Sequence, residues 1–212
     1  MTTYISLSLM LLTATLASAS ISRIEVLSLP DMSAWEKQVF ADVTDYKLVK
    51  INNRQALQAI SQQSASGLLR KIEIDLNKTP YLNWSWKVDS ILNNVDETKK
   101  SGDDYPARVY VVISEGFFFW QTRALSYVWA SEQAKGNSWP NAFVDKATMV
   151  AVQSGESSTG EWMQEKRNVL DDIKNLLGID ASQINAVAIM TDTDNSKQSA
   201  TAYYGDIFFT AE

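Results

Sequence analysis

The feature that most constrains this chain is a strict alternation of apolar and polar residues. In Lys71-Ile72-Glu73-Ile74-Asp75-Leu76, three aliphatic side chains fall on one face and three charges on the other. That is the pattern of a strand with one face buried and the other in water. After Pro80, Leu82, Trp84, Trp86 and Val88 alternate with Asn83, Ser85, Lys87 and Asp89, so a second strand turns both tryptophans towards a core. Residues 107–114 (ARVYVVIS) and 125–130 (LSYVWA) have the β-branched and aromatic content of strands. Further strands are expected over 38–43, 46–51, 67–69 running into 71–76, 147–153, 161–167, 184–191 and 201–210. Residues 95–106 (VDETKKSGDDYP) are polar and rich in turn formers, and predict a loop. One helix is expected near 169–177, where Val169, Ile173, Leu176 and Leu177 lie at helical spacing, Asp171 and Asp172 suit the first turn and Gly178 suits the end. Residues 54–61 (RQALQAIS) are open, since their Ala and Gln favour a helix and the neighbouring pattern favours a strand. About ten short strands with one helix predict an all-β, two-sheet antiparallel sandwich of jelly-roll type.

With no cysteine, such a sandwich has no disulfide staples, so burial must hold it; 45% hydrophobic residues, with 7 Trp, 8 Tyr and 7 Phe, supply the material. Residues 5–16 (ISLSLMLLTATL) form an apolar run followed by Ala17-Ser18-Ala19, the small-x-small pattern of a secretory cleavage site. Residues 1–19 are therefore expected to be a signal peptide and 20–212 a single domain, periplasmic or secreted. The run is shorter than the roughly 20 residues of a membrane-spanning helix, so no span is expected after cleavage. A lipoprotein is excluded, because there is no cysteine to acylate.

The charge balance is 19 − 25 = −6, with Arg23 the first charged side chain. An acidic chain without basic blocks repels phosphates, which excludes nucleic acid as an expected partner. The absence of histidine removes the Ser-His-Asp triad, the Cys-His dyad, His-based zinc sites and histidine pH switches. Phosphate-cradling and nucleophile-elbow glycine motifs are also missing, the nearest run being Gly155-Glu156-Ser157-Ser158-Thr159-Gly160 with the wrong spacing. Any catalysis must then use carboxylates, Lys, Tyr, a Ser-Lys pair or a bound hard cation.

Phe117, Phe118, Phe119, Trp120, Tyr127, Trp129 and Trp139 crowd one stretch of sequence. Sugar rings stack their C–H faces on such side chains, although plain core packing asks for the same residues. We take Trp120, Tyr127 and Trp129, with Arg108 and Arg123 as hydrogen-bonding partners, as candidate ligand-binding residues, and the 115–121 connection as an exposed platform. Asp192-Thr193-Asp194-Asn195 follows an apolar strand and offers hard oxygens suited to Ca2+, or else forms a polar turn. It is not an EF-hand loop, since the sixth position is Lys197 and the twelfth Tyr203. Asp103, Asp104 and Glu165 are the candidate acid/base residues of an enzyme reading, which requires two carboxylates flanking a scissile bond. They suit ion pairs equally well, and Lys87, Arg108, Arg123 and Arg167 are either their partners or gathered in a cleft.

Several stretches carry a family likeness: Ser64-Ala65-Ser66-Gly67-Leu68, Leu82-Asn83-Trp84-Ser85-Trp86-Lys87-Val88, residues 102–111 (GDDYPARVYV), residues 123–129 (RALSYVW), Glu165-Lys166-Arg167-Asn168-Val169 and residues 188–195 (AIMTDTDN). Together they resemble the bacterial family catalogued as domain of unknown function 3047, over nearly the whole chain after the leader. The resemblance implies an exported protein and brings no activity, ligand or catalytic residue. Residues 202–209 (AYYGDIFF) are similar to the closing strand of galactose-binding-like jelly rolls, including many carbohydrate-binding modules. That looser likeness implies a structural calcium held with the help of Asp206, and raises glycan binding by fold analogy alone. The expected function is non-catalytic binding of a glycan or another cell-envelope component. The alternatives are a His-free polysaccharide hydrolase or lyase, and an envelope protein–protein module docking through 117–120.

Overall fold

A computed structural model describes residues 23–114 and 122–212. The expected signal peptide at 1–19 and the aromatic connection 115–121, Trp120 included, lie outside the described residues. In chain order the strands are β1 (Arg23–Leu27), β2 (Glu36–Ala41), β3 (Asp45–Ile51), β4 (Arg54–Gln62), β5 (Ala65–Asp75), β6 (Tyr81–Val88) and β7 (Tyr105–Ser114). They continue with β8 (Thr122–Ala130), β9 (Ser138–Pro140), β10 (Ala147–Ser154), β11 (Met163–Asn168), β12 (Gln183–Asp192) and β13 (Ser199–Thr210). Six form one sheet in the order β11-β6-β13-β4-β3, with β1 also pairing with β13; seven form the other in the order β2-β5-β12-β7-β8-β10-β9. All described strand pairs are antiparallel except β8 with β10.

The expected helix is present as one turn, α1 (Val169–Asp172), continuing into a wider π-type turn over Ile173–Leu177. Asn168 caps it by accepting a hydrogen bond from the Asp171 backbone N–H at 3.2 Å, and Gly178 ends it in the left-handed region at φ 65°. The open segment 54–61 resolves as a strand. Its Ala56, Leu57 and Ala59 are buried, and β4 finds hydrogen-bonding partners on both sides in β3 and β13, which overrides its helical composition. Two short strands, β1 and β9, were not expected from the sequence.

The two sheets close on an aromatic seam. Trp84 and Trp86 both face inward, with ring centroids 5.4 Å apart in an edge-to-face arrangement. Trp84 also packs on Tyr127 at 5.4 Å and Trp86 on Trp129 at 6.1 Å. Each fully buried ring of this kind contributes on the order of 2–3 kcal/mol by removing apolar surface from water. Two polar tips are tied down, the Trp129 ring N–H donating to the Gly155 carbonyl at 3.2 Å and the Tyr127 hydroxyl to Asp172 at 2.8 Å, while the Trp84 ring N–H is buried without a partner.

The 95–104 segment is the expected loop, and it is pinned. Glu97 is fully buried and accepts backbone N–H bonds from Ser131 (2.6 Å), Gln133 (2.8 Å) and Glu132 (3.3 Å). Burial raises its pKa above the usual carboxylate range despite those donors. At Gly102 a Cβ would lie 2.4 Å from the Asp96 carbonyl oxygen, so only glycine fits this close approach. The pinned loop delivers Asp103 and Asp104 to the start of β7.

Candidate functional site

Along β7, Val109, Val111 and Ile113 point into the core, so Arg108, Tyr110 and Val112 point outward. A groove of about 530 Å³ runs over that outer face of the seven-stranded sheet. Its floor includes Leu69, Ala188, Met190 and Tyr110, and its walls are Phe40 from β2 and Phe143 with Val144 from the β9–β10 connection. Phe40, Phe143 and Val144 are 72%, 52% and 54% exposed, a group of apolar side chains that folding has left facing solvent. At Gly67, also in the lining, a Cβ would come within 2.8 Å of the Ile189 carbonyl oxygen.

One end of the groove is strongly acidic. The β7–β12 register sets Met190 opposite Arg108 and Asp192 opposite Tyr105. Arg108 forms a buried ion pair with Asp192 through one guanidinium nitrogen, while Arg108 Nε and Asp192 Oδ1 are buried without a hydrogen-bond partner. The guanidinium lies over the rings of Tyr105 at 4.8 Å and Tyr110 at 5.4 Å. Asp103 accepts two bonds from the Asn141 amide, at 2.8 and 2.9 Å. Asp104 accepts from the backbone of Asn195 at 3.2 Å and of Ser196 at 2.5 Å. The Asn195 amide donates to Asp104 at 3.1 Å and Asp194 at 3.2 Å. Carboxylate oxygens of Asp104, Asp192 and Asp194 all lie within 4.8 Å of one another.

Charge is out of balance here, with four carboxylates around one guanidinium. Burial, and then the neighbouring carboxylates, push Asp192 well above the usual carboxylate range although Arg108 pulls it down. Burial also raises Asp103, and burial with Asp104 raises Asp194. At Arg108 burial opposes the charge, but Asp192, Tyr110 and Asp103 outweigh it and the group stays cationic.

The sequence candidates divide accordingly. Arg108, Asp103, Asp104, Asp192, Asp194 and Asn195 come together. Tyr127 and Trp129 do not reach the groove: both are fully buried between the sheets, in the same inward register as Leu125. They cannot stack on a ligand from there, and this corrects their expected role. Arg123 shares that register, whereas its neighbour Ala124 lines the groove. Glu165 sits on β11 in the opposite sheet, accepting from Gln153 at 2.8 Å and from the Trp86 ring N–H at 3.4 Å, so it forms no acid/base pair with Asp103 or Asp104. Asp206 is exposed on β13, bonded to the Leu29 backbone at 3.5 Å and outside the carboxylate cluster; the calcium position expected from the closing strand does not join it. Lys87 pairs with Asp89 at 3.2 Å. Sequence reasoning missed Phe40, Tyr110, Asn141 and Phe143. Alternation from Arg108 would have found Tyr110, and nothing local marks the other three.

Residues 33–208 match the family described as "Protein of unknown function (DUF3047)". No curated protein matches the sequence. Among solved structures, the family 30 carbohydrate-binding module of the cellulosomal cellulase Cel9D-Cel44B of Clostridium thermocellum is similar in fold, with a TM-score of 0.54, 12% identity, and coverage of 90% of this chain and 98% of that one. The family 11 carbohydrate-binding module of cellulase Lic26A-Cel5E from the same organism gives a TM-score of 0.48 at 9% identity, covering 90% and 95%. Endoglucanase 3 of Trichoderma harzianum, from glycoside hydrolase family 12, gives 0.41 at 11% identity, covering 85% and 98%. At this identity the first of these likenesses shows a shared jelly-roll architecture and nothing more.

Proposed function

The chain belongs to the DUF3047 family, whose function is unknown, and from that premise we propose that it is a non-catalytic binding module for a neutral glycan of the cell envelope or its surroundings. The observation that carries this reading is the outer groove, in which exposed rings stand next to a hydrogen-bonding end. Phe40, Tyr110 and Phe143 offer apolar faces to sugar C–H groups. Asp103 and Asp194 offer acceptors to hydroxyls, and the Asn195 amide lines the same end. Four carboxylates against one guanidinium disfavour uronate-rich or sulfated chains, since like charges repel.

Binding is favoured over hydrolysis because the two candidate acids of the groove already serve structure: Asp103 is held by Asn141 and Asp104 by two backbone N–H groups. Among the described residues no helix is long and apolar enough to cross a membrane. Together with the leader-like residues 1–19, that supports an exported protein, periplasmic or secreted. The test is calorimetric titration with a panel of neutral and acidic oligosaccharides. At least one neutral oligosaccharide should bind, and Tyr110→Ala or Phe143→Ala should weaken it by about two- to twelvefold, in line with the roughly 0.5–1.5 kcal/mol of an aromatic contact. Trp129→Phe should leave affinity unchanged. Binding confined to acidic chains, or insensitive to Tyr110 and Phe143, would sink the proposal.

A further inference from the structure

The acidic end of the groove has a feature that sugar hydroxyls do not require. Two oxygens bound to one Ca2+ at about 2.4 Å can be no more than about 4.8 Å apart. Carboxylate oxygens of Asp104, Asp192 and Asp194 meet that limit, each with the other two. They arrive there for separate reasons. Asp104 is carried by the pinned 95–104 loop, Asp192 ends β12, and Asp194 lies in the turn that leads to β13.

An acidic cluster alone is no site, since folds tolerate carboxylates that share protons or face water. The second observation is Asp192 itself. Its side chain is 1% exposed and its Oδ1 has no hydrogen-bond partner, although Oδ2 is taken by Arg108. A buried carboxylate oxygen without a partner keeps the full cost of leaving water, and such atoms are rare where no ligand is meant to meet them. Arg108 answers only part of the charge that Asp103, Asp104, Asp192 and Asp194 bring together. Asn195 supplies a partial substitute by presenting its amide N–H2 to Asp104 and Asp194. Turned over, the same amide would present its oxygen to a cation instead.

We propose that Asp104, Asp192 and Asp194 hold a hard divalent cation, Ca2+ in the first place, with Asn195 able to contribute its amide oxygen. Ca2+ fits better than Mg2+ because the donors are irregularly placed and mostly buried, while Mg2+ demands near-octahedral geometry and gives up water reluctantly. Asp194 is only partly buried and leaves the cluster a side open to solvent, from which water completes the coordination. The ion would fix the β7 start, the β12 end and the turn after it as one unit, at the end of the groove where hydroxyls are expected to dock. The site shares Asp194 and Asn195 with the hydroxyl-binding end of the proposed glycan groove, but it rests on the carboxylate geometry and its test needs no sugar.

Protein freed of metal by chelation is titrated with CaCl2 and, separately, with MgCl2, following heat and thermal unfolding. The expected result is saturable uptake of one Ca2+, with a rise in Tm of roughly 5 °C or more when Ca2+ exceeds its Kd a hundredfold. Asp194→Asn should weaken uptake at least tenfold while folding as well as the parent in EDTA, because Asp194 lies outside the Arg108 ion pair. Asp206→Asn should leave uptake unchanged. No heat and no change in Tm up to about 10 mM Ca2+, beyond the range of weak extracellular modules, would overturn the proposal. So would Ca2+ uptake that survives both Asp194→Asn and Asp104→Asn. Ca2+ uptake in a protein that binds none of the sugars would leave this site standing and remove only the glycan reading.

Discussion

Arg167–Asp172 and Arg108–Asp192 join the same residue types, and their surroundings set them apart. At the first pair, two guanidinium nitrogens engage both oxygens of Asp172, and the Tyr127 hydroxyl adds a bond at 2.8 Å. Both oxygens of Asp172 are engaged, and the arginine is 37% exposed. This pair ties the helical turn to β8 and β11. At the second pair a single contact joins the partners, Arg108 Nε and Asp192 Oδ1 are left without partners, and three further aspartates stand close by. A completed ion pair is adequately explained by structure alone. An incomplete one, fully buried and opening onto a groove, calls for a ligand.

The largest expected effect separates the two pairs directly. Arg108→Met should cost about 3–5 kcal/mol, because it strands Asp192 among other carboxylates in a buried setting. Arg167→Met should cost only about 1 kcal/mol, since water can take over much of the role of an arginine more than a third exposed. Urea unfolding of the two variants checks this. Equal losses would erase the contrast, whereas recovery of most of the Arg108→Met loss on adding Asp192→Asn would sharpen it.

The next effect is on pH dependence. Burial and mutual repulsion raise the carboxyls of Asp103, Asp192 and Asp194 in the folded chain, and burial raises Glu97 and Glu165 with them. A raised carboxyl binds its proton more tightly when folded, so it disfavours folding above its folded pKa. In EDTA, stability should therefore rise as the pH falls from neutral towards the ordinary carboxylate range and level off below it. Added Ca2+ should flatten that rise by replacing the protons, and Asp194→Asn should reduce it. A stability profile identical with and without Ca2+ would show that protons alone balance this cluster.

The smallest effect on stability is expected at the groove rim. Phe40 is 72% exposed, so Phe40→Ala should change stability by no more than about 0.5 kcal/mol. It should still weaken oligosaccharide binding several-fold, measured by the same titration as the parent. A large stability loss with unchanged affinity would assign Phe40 to packing.

Much of the fold was legible because a strand's period of two reads directly from sequence. Alternation found the tryptophans of β6 and the course of most strands, and it left out β1 and the three-residue β9. The β4 segment was undecidable locally, since pairing on both edges decided it. The site was legible only in pieces. Arg108 was read as a ligand-binding residue, Asp103 and Asp104 as candidate acids, and Asp192, Asp194 and Asn195 as metal ligands, under three separate headings. What joins them is the antiparallel register of β7 on β12, and no single strand contains that information. Tyr127 and Trp129 were misassigned for the opposite reason. Aromatic density suggested a ligand, although the alternation that buried Trp84 and Trp86 applies equally from Leu125 onward.

The most direct test of the account is to map a bound neutral oligosaccharide by backbone amide chemical shifts in the full chain. Perturbed residues should cluster at 65–69, 108–112, 141–144 and 188–195, on the outer face of the seven-stranded sheet. Perturbations centred on β3 and β4 of the opposite sheet, or saturating binding that leaves those four stretches unmoved, would contradict it.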